Sequence, residues 1–350
     1  MDPVDMWRTA RGSYLLDFGQ NLVGRLRIRV DGAAGTRVTL RHAEVLQDGE
    51  LYVRPLRSAI AVDEYVLDGA GPQEWEPRFT IHGFRYAEVE GWPGEFTPGA
   101  VTAQVLHSDM RRTGGFESSD TRLNRLHENV VWSMRGNFVG LPTDCPQRDE
   151  RLGWTGDIQV FGPTATFLYD CAGILSSWLQ DLALEQLPDG TVPWFVPTIY
   201  GNEIWSPPRP GAAWGDAAVI VPWTLYERYG DTEVLARQYP SAKAWVECID
   251  RLAGDEHLWD SGFQLGDWLD PAAPPDDPGD GRTDRYLVAT AYFARSTQLL
   301  ARTAEVLGKT DDAARFNALA DEIRDAFRRR YVAGPGRLTS DAATAYALAI

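Results

Sequence analysis

The 350 residues are long enough for two domains, and 44% apolar with 24% charged residues is ordinary for a chain that buries a core, which excludes wholesale disorder. A net charge of -16 argues against nucleic acid or an anionic membrane surface as partner. No apolar run reaches membrane-spanning length, and the opening MDPVDMWRTARGSYLLDF lacks the basic region and apolar core of a signal peptide.

Residues 12 to about 109 read as β-structure. GRLRIRV (24–30) alternates apolar and basic residues, as a half-buried strand does. DGAAGT makes a turn, TRVTLRHAEV (36–45) alternates again, and AVDEYVL, FRYAEVEG and VTAQVLH follow. Gly, Pro and Asp clusters punctuate these runs at the intervals of a sandwich. The period changes near residue 110. SSDTRLNRLHENVVWSMRGNF (118–138) opens on Ser/Asp caps, and Leu123, Leu126, Val130 and Met134 fall on one helical face. Helical segments recur at about 158–168, 172–187, 213–229, 232–253, 284–307 and 311–331. No strands intervene, so a βαβ sheet is excluded in favour of helical hairpins with a site at their loop-rich end. The chain reaches Ile350 in an apolar helical stretch, DAATAYALAI, and the helical fold is expected to continue beyond it.

Three scattered cysteines, Cys145, Cys171 and Cys248, show neither CxxC nor Cys/His ligand spacing. That speaks against a disulfide framework and a structural zinc site, and favours a reducing, cytoplasmic location. The 13 Trp, 13 Tyr and 13 Phe admit two readings: an aromatic core, or indole faces for stacking sugar rings.

The densest chemistry lies in TDCPQRDERLGWTGD, residues 143–157. Asp144, Asp149, Glu150 and Asp157 repel one another unless Arg148 and Arg151 compensate, so an ion-paired loop is one reading. Pro142 and Pro146 stiffen the approach, and Gly153 and Gly156 permit tight turns around Trp154. An indole between acidic segments suits a sugar subsite. Glycoside hydrolysis uses two carboxyl groups, one of them an acid whose pKa burial or neighbouring negative charge raises. Glu150, flanked by acids, fits that role, but spacing alone does not separate it from Asp149 and the others.

The same stretch resembles the signature of bacterial α-L-rhamnosidases, glycoside hydrolase family 78. DFGQNLVGRLRIRV (17–30), LRHAEVL (40–46) and EPRFTIHGFRYAEVEG (76–91) are similar to the family's β-domain. GAAWGDAAVIVPW (211–223) and LGDWLDP (265–271) are similar to its later catalytic loops. The resemblance implies an antiparallel β-sandwich (1–110) followed by an (α/α)6 toroid (111–350), incomplete at both ends. It implies an inverting hydrolase that releases α-L-rhamnose from rhamnosides or rhamnose-containing polysaccharides. Glu150 takes the position of the general acid; Asp144, Arg148, Trp154 and Asp157 take sugar-binding positions, and Trp214 and Trp268 those of further aromatic walls. The general base is expected beyond residue 350. No cofactor, metal, nucleic acid or membrane partner is expected. Another toroid glycosidase or lyase, and a catalytically silent carbohydrate-binding chain, are the alternatives.

Elsewhere the bland readings lead. Asp216 precedes a helical run and reads as its cap rather than a sugar ligand. Asp267 stands evenly between the two. His82 reads as structural in a strand, and His42, His107, His127 and His257 show no metal spacing. Cys145 has no base at a recognisable spacing and reads as a buried thiol. DPAAPPDDPGDGRTD (270–284) reads as a solvated loop rather than a calcium site.

Overall fold

A computed structural model of the chain describes residues 1–97, 99–199, 201 and 206–350. It contains two compact units, Met1–Leu152 and Gly153–Ile350.

The first unit holds β1 (Asp5–Arg8), β2 (Tyr14–Val30), β3 (Arg37–Ala43), β4 (Val45–Gln47), β5 (Glu50–Tyr52), β6 (Val62–Val66), β7 (Gln73–Trp75), β8 (His82–Glu90), β9 (Val101–Val105) and helix α1 (Thr121–Asn137). The main sheet runs β1-β2-β8-β3-β6, with β7 and β9 also on β2, and all its pairings are antiparallel. β4 and β5 form a separate hairpin.

The long strand β2 explains the arrangement. Its first half pairs with β1 and β8, its second with β9 and β7, and the register shifts between Asp17 and Leu22. One continuous strand therefore serves two sets of partners around one core. Leu16, Phe18, Leu22, Leu26, Ile28 and Val30 face that core with Val38, Leu40, Phe84, Val89 and Val101. Each such side chain contributes about 1.5–3 kcal/mol on burial. Between them Arg25, Arg27 and Arg29 point outward and are held by Glu76 at 2.7 and 2.9 Å and by Glu74 at 2.7 Å. The alternation of GRLRIRV is thus a core face and an ion-paired face. Gly24 is where β9 crosses: a Cβ there would meet the Gln104 carbonyl oxygen at 1.9 Å.

In α1, Asp120 caps the helix by accepting from the Arg122 amide at 2.9 Å. The expected apolar face is only half right. Met134 is buried, but Leu123 and Leu126 are exposed, and Val131 and Gly136 are buried instead. The helix lies on β2 through its C-terminal end, where a Cβ on Gly136 would stand 3.0 Å from Val23. The leucines of its first turns have no such partner surface.

The second unit holds α2 (Thr155–Leu168), α3 (Ala172–Glu185), α4 (Ala217–Tyr229), α5 (Thr232–Ala253), α6 (Arg285–Val306), α7 (Thr310–Tyr331), a short hairpin of β10 (Val332–Gly334) and β11 (Arg337–Leu338), and α8 (Ala343–Ala349). α4 packs with α5, and α6 with α7, as antiparallel-type hairpins. Their turns are short for a physical reason. Gly230 ends α4 in the left-handed region (φ 70°), and Asp231 at once caps α5 by accepting from the Glu233 amide at 2.8 Å. α4 is buried along Ala217–Leu225 on every side, so it shows no apolar stripe in sequence. Trp245, Trp259, Phe293 and Phe316 fill the interior of this unit. Among the described residues no helix is long and apolar enough to cross a membrane.

Candidate active site

The signature stretch spans the division between the units. In the first unit its acids are tied down individually. Asp144 accepts from the Leu152 amide at 2.9 Å and from Arg148 Nη2 at 3.2 Å, while its own amide donates to the Leu152 carbonyl. That closes residues 144–152 into a loop whose turn places Arg151 at φ 51°. Glu150 Oε2 accepts from both Arg148 Nε and Arg57 Nη1 at 2.9 Å. Asp149 accepts from the Ser58 amide at 3.3 Å and from the Ser58 hydroxyl. The carboxylate oxygens of Asp144 and Glu150 lie within 4.8 Å of each other, and Arg148 bridges them.

This arrangement departs from the electrostatics expected from sequence. Glu150 does have an acidic neighbour in Asp144, yet two guanidinium groups stand on its carboxylate. The row Asp144–Arg148–Glu150–Arg57 is charge-balanced, with Asp144 nearly buried and Arg57 largely exposed. It lies beside a cleft of about 380 Å³ in the first unit, lined by Asp144, Arg148, Gln20, Glu44 and Trp132. Arg135 stacks on the Trp132 ring with its guanidinium carbon 4.2 Å from the centroid. Such a cleft, walled by one indole and several hydrogen-bonding groups, has the chemistry of a sugar site.

Asp144, Cys145 and Glu150 also bring potential metal-ligand atoms within 4.8 Å. Both carboxylates are already neutralised by arginine. Burial, and next the Asp144 carboxylate beside it, push the Cys145 thiol up to about 12, so it stays protonated. A metal is therefore poorly served here, and so is a thiolate nucleophile.

In the second unit, Trp154 sits at the N-cap position of α2 and is buried. The Thr155 amide donates to the Trp194 carbonyl, and the Val196 amide to the Gly153 carbonyl, each at 2.9 Å. This two-stranded contact holds the Trp154 and Phe195 rings edge to face at 5.2 Å. Asp157 is exposed in the first turn of α2, where the helix dipole favours an acid. Trp214 packs against the start of the same helix. The absence of a side chain on Gly156 makes this possible: a Cβ there would lie 2.7 Å from the indole. Trp214 meets Trp194 edge to face at 5.8 Å, and Trp194 meets Phe263 at 5.7 Å. The Trp214 indole N–H is buried and has no hydrogen-bond acceptor among the described residues. A buried donor without an acceptor costs about 1–3 kcal/mol, which a ligand hydroxyl recovers. Trp268 is 43% exposed on the loop after α5.

The structure thus brings Asp144, Arg148 and Glu150 together in one unit, and Trp154, Asp157 and Trp214 around one helix start in the other. Arg57, Ser58, Trp194 and Phe263 join these groups without having been singled out from sequence. Arg57 and Ser58 stand more than ninety residues from their partners, so no local signal marks them.

Asp216 corrects the expectation of a side-chain cap. It occupies the N-cap position of α4 but makes no capping bond. It turns inward, fully buried, and accepts from Ala213 N at 2.8 Å, Trp245 Nε1 at 3.0 Å and the Ser296 hydroxyl. It staples the start of α4 to α5 and α6. Asp267 accepts from the Thr283 hydroxyl at 2.9 Å, and Asp270 receives the Arg282 guanidinium and backbone amide. The loop at 270–284 is therefore pinned at its base by an ion pair.

A family model described as the bacterial alpha-L-rhamnosidase 6 hairpin glycosidase domain matches residues 111–350, and one described as the bacterial alpha-L-rhamnosidase concanavalin-like domain matches residues 7–107. An alpha-L-rhamnosidase of Streptomyces avermitilis is 46% identical over 342 residues, 97% of this chain and 31% of that protein. One of Formosa agariphila is 39% identical over 91% of this chain and 34% of its own length. The crystal structure of the Aspergillus terreus alpha-L-rhamnosidase superposes with a TM-score of 0.94 at 48% identity, over 99% of this chain and 40% of that one. The Streptomyces avermitilis enzyme complexed with L-rhamnose gives 0.90 at 45%, over 99% and 32%. The chain spans about a third of the length of the curated relatives it matches. The antiparallel sheet followed by helical hairpins is the arrangement those two models describe, and the chain belongs to the bacterial alpha-L-rhamnosidase family.

Proposed function

We propose that this chain serves an inverting α-L-rhamnosidase, releasing terminal L-rhamnose from α-rhamnosides or rhamnose-containing polysaccharides. Glu150 is the general acid that protonates the departing oxygen. Asp144 and Arg148 bind sugar hydroxyls, and Asp157, Trp154, Trp214 and Trp268 supply hydroxyl and stacking contacts in the second unit. The single observation that carries this reading is the charge-balanced row Asp144–Arg148–Glu150–Arg57 at the edge of the cleft. It fixes the Glu150 carboxyl by Oε2 from two sides, which is the positioning a proton donor needs. An inverting mechanism also requires a carboxylate base roughly 6.5–9.5 Å from the acid, and no residue of this chain is assigned that role.

The domain division 1–110 and 111–350 remains the proposed one, supported by the change of period near residue 110 and by the ranges of the two family models. The compact units divide later, and α1, which packs on β2, goes with the first. A cytoplasmic location is proposed on three cysteines that are all buried and outside any disulfide.

The test is hydrolysis of p-nitrophenyl α-L-rhamnoside by the natural full-length protein, followed by proton NMR. The β-anomer of L-rhamnose should appear first, and on an alkyl rhamnoside, whose leaving group needs a proton, Glu150→Gln should abolish most of the turnover. Initial release of the α-anomer would refute inversion, and full activity of Glu150→Gln on the alkyl rhamnoside would refute the acid assignment.

A further inference from the structure

Strands β6, β3 and β8 lie side by side in the first unit. On β3, Val38, Leu40 and His42 alternate onto the face of the apolar core; on β8, His82 and Phe84 do the same. At the end of this apolar face three polar side chains meet. His82 Nε2 stands 3.0 Å from Asp63 Oδ2, and His42 Nε2 stands 4.0 Å from the same oxygen. The two imidazoles stack with centroids 4.2 Å apart and planes inclined by 24°, and His42 leans edge-on against Phe84 at 4.8 Å. The side chains are 0, 10 and 8% exposed for His42, Asp63 and His82. Ligand atoms from all three lie within 4.8 Å of one another.

The tautomer of His42 is fixed by its neighbour. Nδ1 is 3.0 Å from the Ala61 carbonyl, which only accepts, so Nδ1 carries the proton and Nε2 carries a lone pair. That lone pair is buried and has no hydrogen-bond donor among the described residues. A histidine whose far nitrogen donates to a backbone carbonyl while the near one presents a lone pair to a carboxylate and a second imidazole is in the state a metal ligand needs.

We propose that His42 Nε2, His82 Nε2 and Asp63 Oδ2 bind one divalent transition-metal ion of the zinc class, with water as the fourth ligand. In a tetrahedral zinc site with bonds of about 2.0–2.2 Å, neighbouring ligand atoms stand about 3.3–3.5 Å apart. The 3.0 and 4.0 Å separations bracket that spacing, and the imidazoles must turn out of their stack for both Nε2 lone pairs to meet one ion. Two imidazole nitrogens disfavour calcium and magnesium, which take oxygen. Coordination through Nε2 needs the His82 ring proton on Nδ1, a buried nitrogen with no acceptor among the described residues, and Asp63 exchanges a hydrogen bond for a metal bond. The ion clamps the end of β3 to the start of β6. The chain between them carries Arg57 and Ser58, which hold Glu150 and Asp149, so the clamp fixes both ends of the segment that positions the acid.

The experiment strips the full chain with a chelator and returns zinc, or cobalt as a spectroscopic substitute. One equivalent of zinc should bind per chain and raise the melting temperature, and cobalt should show the intense visible bands of a four-coordinate site. Asp63→Asn and His42→Gln should each weaken zinc binding by more than about 100-fold, beyond the loss of an outer-shell partner. Ring-nitrogen NMR of the wild type reads the same point without a variant: the Nε2 signals of two histidines shift on adding zinc. No stoichiometric binding by folded wild type, unshifted Nε2 signals, or undiminished affinity in both variants would overturn the proposal.

Discussion

Replacing Gly156 by alanine puts a methyl group into the face of Trp214. The added Cβ would lie 2.7 Å from indole atoms, where ordinary contact begins at 3.4 Å, so the ring must retreat by about 0.7 Å. Trp214 backs onto Trp194, which backs onto Phe263, so the retreat is resisted. Overpacking of this kind costs about 1–3 kcal/mol. Alanine in place of glycine in α2 returns at most about 1 kcal/mol of helix propensity. With that full 1 kcal/mol returned, the net is a loss of up to about 2 kcal/mol, or a melting temperature lower by up to about 8 °C for a unit of this size. Thermal unfolding followed by far-UV circular dichroism measures it, with the near-UV signal reporting the tryptophan cluster. A Gly156→Ala chain that melts higher than wild type with an unchanged near-UV spectrum would refute the packing argument, because propensity alone would then have decided.

Four further outcomes follow from other contacts of the two units. Glu150→Gln should lower kcat by about 100- to 10,000-fold on an alkyl rhamnoside, which needs its leaving group protonated, and by less on the p-nitrophenyl substrate; steady-state kinetics of the full-length enzyme with both substrates reads the difference. Asp216→Ala should cost 3 kcal/mol or more in denaturant unfolding, since three buried donors lose their acceptor at about 1–3 kcal/mol each. Burial raises the Asp216 pKa in the folded state, so its protonated form contributes stability that is complete below about 3.9 and is lost as pH rises through the raised value; Asp216→Asn lacks that slope, and wild type should gain on it as pH falls. Cys145 and Cys171, both pushed up to about 12 chiefly by burial, and the buried Cys248 should ignore a thiol reagent at mildly alkaline pH, while all three react in denaturant.

The strands and helices that carry a periodic signal were legible: GRLRIRV became the second half of β2, and most helical segments end within a residue or two of their expected limits. What escaped has identifiable causes. β1, β4, β5 and β7 are three or four residues long, too short to show alternation. α1 was given a stripe through Leu123 and Leu126 because periodicity reports which residues share a face, not how far the neighbouring surface extends. Asp216 looked like a cap because it stands at the N-cap position; the indole N–H of Trp245 and the hydroxyl of Ser296, which claim it, come from α5 and α6. The acids of residues 143–157 were legible as a charged cluster, and Arg148 compensates two of them as expected, but Arg151 makes no ion pair with these acids among the described residues. That Arg57 takes half of Glu150's charge was not legible, because sheet pairing decides it. The three side chains at His42, Asp63 and His82 meet for the same reason: adjacent strands convert separations of about twenty residues into contact.

The length of β2 also sets how this unit opens. A strand pairing with four others cannot slip by one residue without breaking all four registers and turning its core side chains to solvent. Local fraying therefore belongs to β1, β6 and the β4–β5 hairpin, which each depend on a single neighbour. The amides of Leu22–Ile28 should exchange with solvent only through global unfolding, so the slowest-exchanging amides of the first unit mark its kinetic core along one stretch of backbone.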